Sequence, residues 1–377
     1  MTTRRQFTLA AAASVLAAPA FLKAQGNNKI ILGQSAPFTG PAAELGIQFH
    51  LGAKLWLDQV NAQGGVAGRT LEIKTLDDGY EPDRCAANTH KLIAEDVYAL
   101  FGYIGTPTSL AALPLLTKAQ VPFIAPFTGA MGLREPFNRQ VFHLRASYDD
   151  ETALIVRQLT NLGLKKIAVF HQNDAYGQAG LSGVTRALDK QGLKPVATAT
   201  VERNSVDVAA AVKTINAAAP DAVVQISAYK ASAAYVRAAR KAGYGGTFYN
   251  VSFVGTQALA DELGKDGAGV VVSQVMPSPY SPARPIAREF VEAVKKAGGN
   301  NAQVNFSSME GYLAAKVLTE GLKRAGNRLG RDGLIQGLEA MGSQSLGGFQ
   351  VEFSATDHVG SSFVELSMLT GDGRVRT

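Results

Sequence analysis

The apolar positions of this chain fall into short, nearly continuous runs separated by longer segments with a helical period. Lys29-Ile30-Ile31-Leu32-Gly33 reads as a strand closed by turn residues Pro37-Phe38-Thr39-Gly40-Pro41. Residues 44–61 place Phe49, Ala53, Trp56 and Val60 on one face, which predicts a long helix with Trp56 turned towards the core. Gly64-Gly65-Val66-Ala67-Gly68 breaks that helix. Strands are predicted over 70–76, 98–102 and 121–126, with helices over 83–94 and 106–119 between them. From Asp149 the pattern starts afresh. Helices over 149–162, 178–191, 206–218, 231–242 and 256–263 alternate with strands over 166–170, 195–201, 222–226, 247–251 and 269–273. Beyond Pro277 and Pro279 come helices over 285–297, 308–325 and 332–341, then two alternating strands within 348–369 around Asp357-His358.

Strands that are apolar on both faces and alternate with helices belong in parallel sheets covered on both sides. The expected fold class is therefore α/β, with two successive doubly wound parallel-sheet lobes. A length of 377 residues suits two or three domains. With 46% hydrophobic and 18% charged residues, wholesale disorder is excluded. The body of the chain has no apolar run of the roughly 20 residues a membrane helix needs, which excludes a polytopic membrane protein. The single cysteine, Cys85, excludes an intramolecular disulfide and any cysteine-based zinc or iron–sulfur centre; it reads as an inert thiol on a helix.

The N-terminus reads as an export signal over residues 1–24. Arg4-Arg5 precede the short apolar stretch from Leu9 to Ala18, and Ala18-Pro19-Ala20 and Ala24 offer cleavage sites. Thr3-Arg4-Arg5-Gln6-Phe7-Thr8-Leu9 also resembles the twin-arginine motif. Cleavage after Ala24 removes Arg4, Arg5 and Lys23 and no acid, so the formal charge falls from +6 to +3. That value, with no basic run carrying interleaved aromatics, gives no case for a nucleic-acid partner. The expected location is the periplasm.

Ligands of open parallel sheets sit beyond the carboxyl ends of the strands, where connections diverge. In a 2-1-3-4-5 strand order, the loops there are 37–41 and 105–109, with Thr128-Gly129 one strand further. Thr106, Thr108, Ser109 and Thr128 supply hydroxyls next to helix N-termini, whose free N–H groups favour anions. A small carboxylate site is one reading, and plain N-capping by the same residues is the other. Catalytic signatures are missing. Gly180-Leu181-Ser182-Gly183-Val184 lacks the last glycine of a nucleophile elbow, and there is neither a phosphate-binding loop nor a dinucleotide fingerprint. His50, His90, His143, His171 and His358 are scattered without metal-ligand spacing, so no metal and no cofactor is expected. Asp77-Asp78 at a strand end reads as turn chemistry.

The segment Gly52-Ala53-Lys54, then Asn61 to Arg69, Asp77-Asp78-Gly79-Tyr80-Glu81-Pro82 and Ala86-Ala87 resembles the leucine/isoleucine/valine-binding proteins, type I periplasmic receptors of ABC importers. Gly102 to Thr108, Pro122 to Gly129, Asp174-Ala175-Tyr176-Gly177 and Pro220 to Val224 agree with it. The resemblance implies two lobes, 27–145 plus 277–350 and 146–276 plus 351–372. They would be joined by three crossover strands near 145–147, 273–277 and 349–353 and close like a hinge. It implies a ligand carboxylate held by Thr106 and by Phe127-Thr128-Gly129, covered by Tyr176 and by Tyr229, with Leu45 at a position that is often aromatic. Two departures stand out. Where the branched-chain receptors carry an acid for the ligand's ammonium, this chain has Ser252-Phe253. Either Glu310 or Asp174 replaces it, or the ligand is an amine-free aromatic or aliphatic carboxylate. Tyr80 and Gly105 occupy the positions of the family's first-lobe cysteines. The resemblance implies a monomer that hands a small carboxylate solute to a membrane permease without chemical change; a solute sensor on the same fold is the alternative.

Overall fold

A computed structural model describes residues 29–298 and 302–377. The proposed export signal, residues 1–24, lies outside the described residues. The first half alternates strand and helix: β1 (Lys29–Ala36), α1 (Ala43–Ala62), β2 (Thr70–Asp77), α2 (Pro82–Ala94), β3 (Ala99–Phe101), α3 (Thr106–Ala119), β4 (Phe123–Ile124) and β5 (Val141–Phe142). These strands form one sheet in the order β2-β1-β3-β4-β5, all neighbours parallel.

The second set comprises α4 (Tyr148–Asn161), β6 (Ile167–Gln172), α5 (Ala175–Asp189), β7 (Thr198–Val201), α6 (Ala209–Ala217), β8 (Ala222–Ile226), α7 (Tyr229–Lys241), β9 (Thr247–Asn250), α8 (Thr256–Leu263) and β10 (Val271–Gln274). There follow α9 (Pro285–Lys296), α10 (Phe306–Ala325), α11 (Arg331–Glu339), β11 (Gly342–Leu346), β12 (Phe349–Phe353), β13 (Glu365–Leu369) and β14 (Val375–Arg376). The second sheet runs β14-β13-β10-β9-β8-β6-β7 and repeats the doubly wound order, with β13 and β14 added antiparallel at one edge. Every residue of β6 and β8 is buried, as strands covered on both faces must be. The fold is thus α/β with mostly parallel sheets in two lobes.

Local chemistry sets the helix starts. Ser147 and Asp150 form a capping box at α4, each side chain accepting from the other's backbone N–H. Asn305 and Ser308 do the same at α10. Helix α10 returns to the first lobe and lies against α1 so closely that two glycines are required. A Cβ on Gly52 would stand 1.9 Å from the Ser308 carbonyl oxygen, and one on Gly311 would stand 1.9 Å from that of Phe49. Trp56 is half-buried at this seam, donating from Nε1 to Thr319 Oγ1 at 2.8 Å.

The chain leaves the first sheet after β5 and the second after β10, runs through α9 to α11 and the separate β11–β12 ribbon, and rejoins the second sheet at β13. Phe349, Val351 and Phe353 point inward from a two-stranded ribbon with β11. The following turn stays with the first lobe, because Gly360 N donates to His143 O at 2.7 Å and His143 N to His358 O at 2.8 Å. The two strands expected within 348–369 therefore exist but do not pair with each other: β12 joins β11, and β13 joins β10.

The α1–α10 seam yields a first prediction. Gly311→Ala drives a methyl group into the Phe49 carbonyl, so chemical denaturation should show a loss of about 1–3 kcal/mol of stability. Retention of wild-type stability would mean that the helices stand further apart than described.

Candidate functional site

The carboxyl ends of the two sheets face each other, and the loops there bring together most of the residues singled out in the sequence. On the first-lobe side, Gly105 has φ +100° and turns the chain from β3 into α3. Thr106 opens that helix, and its hydroxyl lies 2.7 Å from the Thr128 hydroxyl, both side chains fully buried. Thr128 Oγ1 also accepts from Ala130 N at 3.2 Å. Gly129 is needed where it stands: a Cβ would lie 2.6 Å from Tyr148 N. Thr108 has a local task, since its hydroxyl donates to the carbonyls of Ile104 and Gly105 inside the helix turn. Its hydroxyl is thereby committed to the backbone, whereas the Ser109 hydroxyl is buried without a partner.

On the second-lobe side, Asp174 caps α5 by accepting from Tyr176 N at 2.9 Å and Gly177 N at 3.4 Å. The same carboxylate accepts from Gln172 Nε2 at 2.6 Å and Arg203 at 3.2 Å. The Phe253 ring occupies the centre, 4.5 Å from Tyr176, 5.7 Å from Tyr80 and 5.8 Å from Phe127, measured between ring centres. Leu45 and Tyr229 face each other's lobes at one side of the cleft: a Cβ on Gly255 would come within 2.4 Å of Leu45 Cδ2, and the Tyr229 hydroxyl meets the Glu44 backbone.

Tyr80 and Gly105, at the cysteine positions of the resembling family, touch. A Cβ at Gly105 would lie 2.3 Å from Tyr80 Cε2, so the glycine makes room for the ring. Tyr80 then reaches across the cleft and accepts from Gln172 Nε2 at 3.3 Å. Further out, Arg203 donates to Glu81 at 2.9 Å, and Asn204 Nδ2 donates to Glu81 Oε1 at 2.7 Å and to Gly79 O at 3.0 Å. These contacts join the lobes at the cleft edge.

Residues that the sequence reading passed over occupy the centre. Arg145, 1% exposed, donates through Nε and Nη2 to both oxygens of Glu310 at 2.8 and 2.7 Å, and its guanidinium lies 3.9 Å from the centre of the Phe127 ring. Burial works against the Arg145 charge, but the Glu310 carboxylate outweighs it and holds the guanidinium above its ordinary range. Glu310 is therefore the ion-pair partner of Arg145. Asp174 is likewise committed as a helix cap. Glu151 is fully buried and accepts from Ser252 N at 2.7 Å, Ser252 Oγ at 3.0 Å and Ser273 Oγ at 2.6 Å. Burial raises its pKa. Ser252 thus serves Glu151, and Phe253 beside it serves the cleft. Arg145, Tyr148 and Glu151 recur every three residues across the crossover into α4, a spacing that puts Tyr148 and Glu151 on one helix face and was the available signal.

The description of the periplasmic binding protein family matches residues 29–373. This chain belongs to that family. It is 29% identical over 238 residues, 62% of this chain and 63% of the other, to an "Amino acid binding protein" of Pseudomonas aeruginosa. A "Leu/Ile/Val-binding protein homolog 7" of Brucella abortus is 27% identical over 78% of this chain and 77% of its own. Among solved structures, that of a possible leucine/isoleucine/valine-binding protein from Rhodopirellula baltica is 32% identical. It covers 92% of this chain and 95% of its own, with a TM-score of 0.86. The chain is a type I periplasmic solute-binding protein by family and by fold. Among the described residues there is no cluster of potential metal ligands, and no helix is long and apolar enough to cross a membrane.

The acids beside the cleft behave as turn chemistry. Burial opposes the charge of Asp77, but Thr39, the N–H groups of Phe38 and Gly79, and Arg84 hold its pKa at about 2. Burial pushes Asp78 up to about 6, although it accepts from Ser35 Oγ and Tyr80 N, each at 2.8 Å. Because the folded protein binds that proton more tightly than the unfolded chain, the associated stability is full below about pH 4 and is lost as pH rises through about 6. Relative to Asp78→Asn, the wild type should lose about 2–3 kcal/mol between pH 4 and 7, measured by denaturant titration at each pH. Parallel curves would show that Asp78 is not held protonated.

Proposed function

We propose that the protein is the extracytoplasmic receptor of an ABC importer, that it captures a small carboxylate by closure of its lobes, and that it passes the solute unchanged to a membrane permease. The reading rests chiefly on one arrangement: the Thr106 and Thr128 hydroxyls and the first turn of α3 are buried between the sheets, under rings supplied by the opposite lobe. Hydroxyls and a helix N-terminus together favour a carboxylate. The names carried by the Pseudomonas and Brucella relatives support an amino acid or similar ligand. The commitments of Glu310 and Asp174 favour an acid without an ammonium, because neither carboxylate is free to receive one. Arg4-Arg5 and the apolar stretch behind them support export to the periplasm. The absence of a nucleophile–base pair in the sequence favours a binder over an enzyme.

Isothermal titration of ligand-stripped protein against amino acids, aliphatic acids and aromatic acids tests this reading; failure to bind any member of such a panel overturns it. Thr106→Val should weaken carboxylate binding by about 1–3 kcal/mol, the cost of a hydrogen bond to charge. Unchanged affinity places the carboxylate elsewhere.

Closure engages the edge contacts from Arg203 and Asn204 to Glu81. Arg203→Ala should therefore act on the closed complex, raising the ligand dissociation rate severalfold in stopped-flow measurements while leaving association within about twofold. An effect confined to association would assign Arg203 to solute capture instead.

A further inference from the structure

Three polar atoms at the centre of the cleft have no partner in the protein: Arg145 Nη1, the Tyr148 hydroxyl and the Tyr176 hydroxyl. All three side chains are at most 1% exposed. They share one neighbourhood, since the two tyrosine rings lie 5.4 Å apart and both hydroxyls stand within reach of Arg145 and Glu151. The guanidinium cannot easily turn away: Nε and Nη2 are fixed by Glu310, and its face lies on Phe127. Buried polar groups in native proteins are nearly always satisfied. Three unsatisfied ones around a solute cleft indicate a guest that satisfies them.

Their polarity narrows the guest. A guanidinium N–H only donates, and a phenol donates or accepts. An ammonium placed here would meet the like charge of Arg145. Glu310 is neutralised by Arg145, and Glu151, whose charge burial disfavours, already accepts three hydrogen bonds, from Ser252 N, Ser252 Oγ and Ser273 Oγ. A second carboxylate would sit between two acids with one guanidinium to share. A neutral acceptor oxygen fits. Its place along the ligand follows from Tyr148, whose hydroxyl lies beside those of Thr106 and Thr128. The acceptor is therefore next to the carboxylate.

Building on the carboxylate reading above, we propose that the cleft selects 2-oxo acids, with Arg145 Nη1 and the Tyr148 and Tyr176 hydroxyls receiving the 2-oxygen at the position where an amino acid carries its ammonium.

The test compares three matched ligands in each of two series by isothermal titration to the stripped, full-length mature protein. The series are 4-methyl-2-oxopentanoate, 4-methylpentanoate and leucine, and phenylpyruvate, 3-phenylpropanoate and phenylalanine. The oxo acid should bind at least tenfold more tightly than both companions in at least one series. Replacing Arg145 would strand Glu310, so the variants are Tyr148→Phe and Tyr176→Phe, which keep the rings and remove only the hydroxyls. In each, the preference for the oxo acid over the parent acid should shrink to less than threefold. Equal binding of oxo and parent acids, or tightest binding of the amino acid, overturns the inference and leaves the carboxylate reading standing. A preference that survives in both tyrosine variants overturns the residue assignment. Binding of none of the six overturns the carboxylate reading and this inference with it.

Discussion

A buried arginine at the point where the chain leaves the first sheet holds the arrangement together. Arg145 grips Glu310 on α10, which returns from the far end of the sequence, and covers Phe127 in the loop after β4. One side chain thus ties a crossover, a returning helix and a site loop. Removing one member of a buried, doubly hydrogen-bonded pair typically costs about 3–5 kcal/mol, because the other charge is left uncompensated. The crossover is pinned a second time by Arg134, which donates to the carbonyls of Ala130 and Arg145, each at 3.0 Å. Rigidity here shapes the cleft, because the segments on either side, the loop after β4 and the start of α4, carry Thr128 and Tyr148.

From that anchor the cleft follows by close approach. Gly105 admits the Tyr80 ring, Gly129 admits the Tyr148 backbone, and Gly255 admits Leu45 from the other lobe. A disulfide would join two points of one lobe. A tyrosine against a glycine does something different here: its ring packs on Gly105 and Phe253, and its hydroxyl reaches Gln172 in the second lobe.

Much of the fold was legible because parallel strands buried on both faces write themselves as apolar runs, and β1, β6 and β8 are such runs. The two-residue strands β4 and β5 and the β11–β12 ribbon were harder, since their pairing depends on distant partners that no local period encodes. In the cleft, Thr106, Thr128, Tyr176 and Phe253 are candidates that loop chemistry and family resemblance single out, and the fold brings them together. Arg145 and Glu151 were not singled out, because a lone charged residue in an amphipathic segment reads as surface. Only the fold shows that both are enclosed. Thr108 was over-read for a related reason: a hydroxyl in the first turn of a helix suits a ligand and the backbone equally, and here the backbone takes it.

Membership in a solute-binding family fixes the architecture more firmly than the guest. The scaffold supplies helix N-termini and hydroxyls at the carboxyl ends of one sheet, an arrangement that in the proposed reading takes the carboxylate whatever is attached to it. Discrimination falls to the few groups one bond further out. An acid there accepts an ammonium, whereas a guanidinium and two phenols offer donors to an oxygen. In this chain the acids that stand nearest are already committed, Glu310 to Arg145 and Glu151 to two serines. The donors are what remain unpaired. In a site closed to water an unmet donor costs about as much as an unmet acceptor, so under the proposed reading the donor–acceptor balance at the centre of the cleft, more than its size or its aromatic lining, sets which carboxylates it can enclose.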